Sequence, residues 1–337
     1  MKKVLLATTV LAGFAGAAFA DDATSVKISG YGRVGIVNNS KATGAKTQVV
    51  NRLRFNIDAS TTTDSGVVFG ARLRLQNDTG DSGTTGNNAL LYTEYQGLRV
   101  EVGNTNTAYD NTTLLWGSEV GYRDSSFGDP YEYTFYYDSK AGGSQGALSN
   151  NHMGLFASYT VGDFTGMISY VNPDQGAKSL PAGWKSEIAV SGLYKYQQFT
   201  FEAAMVKNGA GISGNDPWFI GAAYAINDNA NVGLNYIDEH MGTTAIANQA
   251  ATYGTNVDPG KTITLYGNYK MDKTTLKAYI AHNDGGSVTA GVLTKNPSQN
   301  AYGIGADYDL GGARLSGAVQ RGYAKQTIVD VGVRFDF

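Results

Sequence analysis

From Val329 to Phe337 apolar and polar residues alternate without a break. Val329, Val331, Val333, Phe335 and Phe337 take every second position, and Asp330, Gly332, Arg334 and Asp336 fill the gaps. Successive side chains of a strand point to opposite faces, so this segment has one wholly apolar face and one polar, charged face. The apolar face continues to the last residue, where a water-soluble domain usually frays into polar chain. The pattern predicts a strand with lipid on one side and water on the other, the repeating unit of a transmembrane β-barrel.

The same rhythm recurs along the chain. It predicts strands at Val26–Val37, Val49–Ser60, Val67–Gln76, Ala89–Gln96, Leu98–Gly103, His152–Thr160, Phe164–Val171 and Ser186–Tyr196. It continues at Phe199–Val206, Trp218–Ile226, Asn231–Asp238, Lys261–Lys270, Thr274–His282, Ala301–Asp309, Ala313–Gln320 and Thr327–Phe337, sixteen in all. Most approach the roughly nine to eleven residues that a tilted strand needs to cross hydrocarbon. Tight joints such as Gln96-Gly97, Gln197-Gln198 and Met271–Lys273 alternate with long stretches such as Asp78–Asn88, Met241–Gly260 and Asp284–Gln299. Outer-membrane barrels have short periplasmic turns, long outer loops and an even number of strands. Tyr131–Lys140 has strand-like composition, but its alternation is poor and a seventeenth strand would break the parity. It is therefore assigned to one very long third loop, about 104–151. The expected fold is all-β: a 16-stranded antiparallel transmembrane β-barrel over residues 21–337, with the long third loop folded into the pore.

The start of the chain places that barrel. Lys2 and Lys3 precede an apolar run, and Ala18-Phe19-Ala20 supplies small residues before Asp21 and Asp22. This predicts a secretory signal peptide over residues 1–20, too short to span a membrane. The formal charge is −3, and −5 once the two signal lysines are removed. Such a balance gives no footprint for nucleic acid. With no cysteine, disulfide and thiolate chemistry are excluded. No later apolar run approaches eighteen residues, so transmembrane helices are not expected. Richness in Gly (44) and Tyr (22), with only 6 Pro, suits strands that are half lipid-facing and half wet.

A loop longer than about 12–15 residues is uncommon unless it has work to do, and a sixteen-stranded barrel encloses water. The loop acids are Asp110, Glu119, Asp124, Asp129, Glu132 and Asp138. On the strand phases, Arg33, Arg52, Arg54, Arg72, Arg74, Arg99 and Arg334 point inward from the first few strands and the closing one, which become neighbours when the barrel shuts. A basic wall opposite an acidic loop would set a transverse field across the narrowest water and tune ion selectivity. A solvated wall would carry the same arginines without acting on permeation. Glu94, Glu101, Glu187 and Glu202 also point inward, as lining or as partners of the bases. His152, His240 and His282 lack metal-ligand spacing, and no Ser or Thr is marked out as a nucleophile beside a base, so no enzyme is expected. No cofactor is expected either, although Asn77–Gly83 has a faint calcium-loop composition; a polar hairpin loop is the commoner explanation, and calcium there would stabilise loops and not react.

The whole mature chain resembles the general diffusion porins of Gram-negative outer membranes, particularly their alphaproteobacterial branch. The carrying segments are Val26–Gly35 (VKISGYGRVG), the turn at Thr63–Ala71 (TDSGVVFGA), the turn at Ala306–Gly312 (ADYDLGG) and the closing Val331–Phe337 (VGVRFDF). The resemblance implies a homotrimer of barrels embedded in outer-membrane lipid and lipopolysaccharide. Each pore would be narrowed by the third loop and pass small polar solutes and ions. Enterobacterial members carry Pro-Glu-Phe-Gly-Gly in that loop, where this chain has Leu114–Tyr122 (LLWGSEVGY). Two rivals to an open pore remain: a substrate-specific channel, with Tyr31, Tyr92 and Tyr266 as an aromatic track, and a surface adhesin or phage receptor working through its loops.

Overall fold

Hydrocarbon holds no water to satisfy a free backbone amide or carbonyl, so strands there survive only in a closed ring. The computed structural model describes residues 24–137 and 145–337 and forms such a ring. The expected signal peptide at 1–20 and the loop acid Asp138 lie outside the described residues. The barrel strands are β1 (Thr24–Asn39), β2 (Thr47–Thr62), β3 (Val68–Asp78), β4 (Leu90–Tyr95), β5 (Leu98–Gly103), β6 (Met153–Val161), β7 (Phe164–Asn172) and β8 (Glu187–Tyr196). They continue as β9 (Phe199–Lys207), β10 (Trp218–Asn227), β11 (Ala230–Asp238), β12 (Lys261–Met271), β13 (Thr274–Asn283), β14 (Asn300–Asp309), β15 (Arg314–Arg321) and β16 (Thr327–Asp336). Each is antiparallel to its neighbours in sequence.

The ring closes where β1 pairs with β16, from Tyr31 opposite Asp336 to Asn39 opposite Ile328. Gly30 and Phe337 extend this seam by exchanging two backbone hydrogen bonds, at 2.7 and 3.0 Å. The bare backbone of Gly32 gives the Phe335 ring its seat, since a Cβ there would lie 2.3 Å from that ring. At the opposite turn type, Gln96 (φ 45°) and Gly97 (φ 84°) both occupy the left-handed region. That is the two-residue hairpin geometry whose twist matches the flanking strands.

The alternation sorts the faces as expected. Val26 (69% exposed) and Ile304 (64%) stand in an apolar outer surface that only lipid or another protein could cover. The buried core lies inside, where the loop between β5 and β6 packs on the wall. Ala108, Tyr109, Leu114, Leu115 and Phe135 of the loop cluster with Phe156, Ala189, Ala204, Val206, Phe219 and Ile237 of the strands. A second cluster joins Val120 to Tyr266, Tyr279, Ala281 and Ala318. Tyr131–Tyr137 makes no named strand, and its poor alternation follows from this packing around more than one side.

Other loops hold structure that period-two patterning could not reveal. The stretch expected as the long loop Met241–Gly260 contains a helix, α1 (Thr243–Tyr253), ended by Gly254 at φ 69°. Val257–Asp258, Gly286–Thr289 and Val292–Lys295 form a small three-stranded sheet beyond the barrel rim.

Candidate functional site

The long loop is stitched to the inner wall by carboxylates that accept its backbone N–H groups. Glu202 on β9 accepts from Thr113 (3.0 Å) and Leu114 (2.6 Å). Asp330 on β16 accepts from Tyr122 at 3.1 Å. Glu239, just past β11, accepts from Tyr131 at 3.0 Å and from Thr134 Oγ1 at 2.5 Å. Glu187 on β8 takes the N–H groups of Tyr136 (2.6 Å) and of Ala210 (2.8 Å). Glu187 and Glu202 were expected as lining or as partners of the arginines; they bind loop backbone instead. The reason is that loop amides outside a helix or sheet need acceptors, and a carboxylate is the strongest available. Glu94 and Glu101 do pair with bases: both bond Arg99, Glu101 at 2.5 Å. Tyr266 packs between loop and wall, so close that a Cβ on Gly117 or Gly233 would meet its ring.

The arginines form a ladder whose rungs are set by register. β2 and β3 pair Arg52 with Asp78, Arg54 with Gln76, Asn56 with Arg74 and Asp58 with Arg72. The two end rungs are ion pairs, with Arg52 Nε to Asp78 and Arg72 Nε to Asp58 each 2.6 Å. The two middle rungs join a guanidinium to an amide: Arg54 Nε donates to Gln76 Oε1 at 2.6 Å, and Arg74 Nε to Asn56 Oδ1 at 3.2 Å. Arg33 donates to the carbonyl of Arg123 in the loop at 2.8 Å. Among the described residues, Arg33, Arg54 and Arg74 have no acid within ion-pair distance. Tyr31 sits inside the group, with Arg334 and Arg54 stacked over its ring at 4.3 and 5.4 Å and Arg52 reaching its hydroxyl at 3.3 Å.

The loop acids divide. Asp124 reaches the seam and pairs with Arg334 (2.8 Å) and Arg314 (2.7 Å); Arg314 and Arg123 were not among the candidates read from sequence. Asp110 is half-buried, and burial lifts its carboxyl to about 7 although Arg74 and Arg54 pull it down. Asp129 accepts from Ser126 N (2.8 Å) and Ser118 Oγ (3.4 Å) on the side facing β13, and burial lifts it also to about 7. Glu119 is pushed well up by burial and then by Asp129 and Asp124.

The remaining candidates stay apart. His152, His240 and His282 contact Ser149, Asp258 and Asn300 respectively. In the Asn77–Gly83 segment Asp78 is held by both ends of the Arg52 fork, and Asp81 accepts from the Asp78 backbone at 2.7 Å. Tyr31, Tyr92 and Tyr266 make no continuous track, since Tyr92 is covered by Arg99 at 3.9 Å and Tyr266 by the loop.

A closed barrel with a polar interior and one long inward-packed loop has clear relatives. The family described as Gram-negative porin matches residues 7–334. A porin from Fuscovulum blasticum is 40% identical over 317 residues, covering 93% of this chain and 100% of the relative. The chain belongs to the Gram-negative porin family. Solved structures agree: a triple mutant of Rhodopseudomonas blastica porin has a TM-score of 0.79 at 38% identity, covering 93% of this chain and 100% of that one. Another variant of Rh. blastica porin gives 0.79 at 39% with the same coverage. This porin is therefore a passive diffusion channel of the Gram-negative outer membrane, and its activity is passage of solutes, not catalysis.

Two outcomes follow from the stitching. Replacing Glu202 by Ala orphans the amides of Thr113 and Leu114, at about 1–3 kcal/mol for each buried group left unpaired. Native-state chymotrypsin cleavage near Leu114–Trp116 should rise at least about fivefold; unchanged cleavage would show that Glu202 does not hold the loop. The second outcome concerns pH. Acids whose folded pKa lies above the usual carboxylate value keep protons that the freed loop would release, so docking loses stability as pH rises from about 4 through about 7. Hydrogen exchange at loop amides, corrected for intrinsic rate, should show more frequent opening at pH 8.5 than at pH 6. The Asp110→Asn, Asp129→Asn double variant should reduce that difference, the remainder belonging to Glu119.

Proposed function

We propose that this porin passes small hydrophilic solutes and ions through a lumen narrowed by loop 104–151, and that charge at the narrowing favours anions. One observation carries the reading: the middle rungs of the arginine ladder are matched by Gln76 and Asn56 and not by acids. With Arg33 they leave three guanidiniums on one wall without an acid at ion-pair distance among the described residues. Opposite them the acidic loop supplies less charge than its composition suggests. Asp124 is spent on Arg334 and Arg314, while Asp110 and Asp129 hold protons up to about pH 7. A fixed field in confined water selects by sign, and here the unpaired sign is positive.

The outer surface supports a homotrimer, reached after export under the leader at residues 1–20. Exposed Tyr and Trp belong at membrane–water interfaces. They run from β4 to β14: Tyr95, Tyr159, Tyr194, Tyr224, Tyr269 and Tyr308 near the short turns, and Tyr170, Trp218 and Tyr302 toward the other end. From β15 through β16 and β1 to β3 no exposed Tyr or Trp occurs among the described residues. That face is built instead of Val26, Ile28, Val34, Ile36, Val49, Leu53 and Leu73. A greasy face without an interfacial girdle suits a sister barrel better than lipid. Lipopolysaccharide is proposed as the partner at the long-loop rim, where Lys207 and Lys261 are exposed, each beside an acid, Asp216 and Asp238.

In planar bilayers under a KCl gradient, the reversal potential should report anion preference. The Arg54→Gln, Arg74→Gln double variant should move it toward zero or past it; an unmoved potential would refute the wall's role. For assembly, light scattering in detergent should give three chains per particle, and Leu73→Arg should release monomers. A monomeric native protein, or a trimer that tolerates Leu73→Arg, would contradict the proposed contact face.

A further inference from the structure

Every other joint in the ring ties strands that follow one another in the chain, so a turn or loop keeps each pair close. The joint between β1 and β16 has no such tether, because it unites the two ends of the barrel. Closing a segment on itself costs more entropy the longer the segment is. The inner face of this seam also holds itself poorly. Arg33 stands directly opposite Arg334, and the next inward rung is Gly35 opposite Gly332. Like charges directly opposite on a sheet repel, and a pair of glycines brings no side chains to pack. One end is tied by Ser40, whose N–H donates to Thr327 O at 2.9 Å and whose Oγ accepts from Thr327 N at 2.8 Å. Gly30 and Phe337 tie the other. Between those ends the missing contacts come from the long loop.

Val120–Ser125 forms a hairpin tip of its own. Val120 and Ser125 exchange two backbone hydrogen bonds, at 3.1 and 3.3 Å, and Gly121 (φ 76°) and Asp124 (φ 48°) turn the chain between them in left-handed conformations. Val120 is anchored among Tyr266, Tyr279, Ala281 and Ala318, which gives the tip a fixed base. The residues of the turn then meet the seam one after another. Tyr122, fully buried, lies across the glycine rung: a Cβ on Gly35 would fall 2.7 Å from its Cζ, and one on Gly332 would fall 2.7 Å from its Cγ. Its N–H donates to Asp330, and Gly121 is so close that a Cβ there would fall 2.5 Å from the same carboxylate oxygen. The carbonyl of Arg123 accepts from Arg33 at 2.8 Å. Asp124 pairs with Arg334 at 2.8 Å and, one strand further, with Arg314 at 2.7 Å. One short hairpin thus grips β1 through Arg33 and Gly35, and β16 through Asp330, Gly332 and Arg334. It answers the facing arginines with a carbonyl and a carboxylate, and it fills the glycine gap with a ring.

We infer that the Val120–Ser125 tip of the long loop is a clasp that holds the seam of the barrel shut from inside. The loop is then more than a flap laid against the wall. Its tip and the untethered joint of the ring open as one cooperative unit. Displacing the tip loosens the pairing of β1 with β16, and the same pairing resists displacement of the tip. The clasp acts whatever the passage conducts.

Amide-resolved hydrogen exchange on the full-length porin in detergent measures that coupling. Successive amides of a strand point to opposite neighbours, and those of Gly30 and Ser40 donate across the seam, to Phe337 and Thr327. The even-numbered amides of β1 therefore report on the seam, and the odd-numbered ones on the joint with β2. Tyr122→Ala should speed exchange of the even-numbered set about tenfold, the equivalent of one hydrogen bond lost, and leave the odd-numbered set unchanged. Asp124→Asn, which keeps the backbone turn of the tip, should give a smaller rise of about threefold, as for one ion pair. It carries the test alone if Tyr122→Ala fails to assemble. Glu202→Ala frees the loop from β9 and not from the seam, and should leave both sets at the native rate. The chain has no cysteine, so Val34→Cys with Val333→Cys, opposite each other on the outer face, can tie the seam covalently. Added to Tyr122→Ala, that disulfide should return the even-numbered amides to the native rate while amides of the tip stay fast. Native exchange at the seam in the tip variants would overturn the clasp. So would an equal rise in both sets of amides, which marks general destabilisation, or a rise in Glu202→Ala as large as in Tyr122→Ala.

Discussion

Pairing of β1 with β16 is the contact on which the rest of the molecule depends. A free strand edge in hydrocarbon would leave a row of amides and carbonyls unsatisfied, each at a cost of several kcal/mol, and no side-chain contact elsewhere could offset a row of them. Once Tyr31–Asn39 lies against Ile328–Asp336, inside and outside become distinct. The same closure brings Arg334 beside Arg33, two residues far apart in sequence that face each other across the seam. The arginine group is thus a product of ring closure as much as of composition.

Register then decides the electrostatics. β2 and β3 carry two Arg each and could have matched all four with acids. Pairing places Asp only at the two ends of the ladder and amides in the middle. A slip of two residues would keep every side chain on its face and yet redistribute the charge. The unpaired positive character therefore belongs to the register and not to the residue count. Tyr31 lies within the group, its ring offering a favourable face to Arg54 and to Arg334.

Period-two patterning made the barrel legible because lipid enforces it: an outward polar residue would be costly at any of the sixteen strands. It read the inward arginines for the same reason. It failed where water and protein replace lipid. Helix α1 and the three-stranded sheet lie beyond the barrel strands, where lipid imposes no period of two, so nothing in the alternation marks them. The roles of Glu187 and Glu202 were hidden for a different reason. Both sit correctly on inward positions, but their partners are backbone amides of Tyr136 and of Thr113 and Leu114, and an amide has no letter in the sequence. Arg314 was missed although its phase is inward, because the basic wall was sought in the first strands and the last one, and the seam extends one strand further.

The stitching carboxylates and the loop acids meet within one lumen. Glu202 and Asp330 serve as acceptors for loop amides. Asp110 and Asp129 are enclosed by the docked loop, which favours their neutral forms. Docking therefore helps suppress the charge that composition assigns to the loop, while the arginines, protonated at any physiological pH, keep theirs. A loop that opened would regain ionised acids and weaken the positive field at the same moment as it widened the passage. On the proposed reading, selectivity and loop position would be coupled through burial, and the fixed charge that a solute meets would depend on how firmly the loop is held.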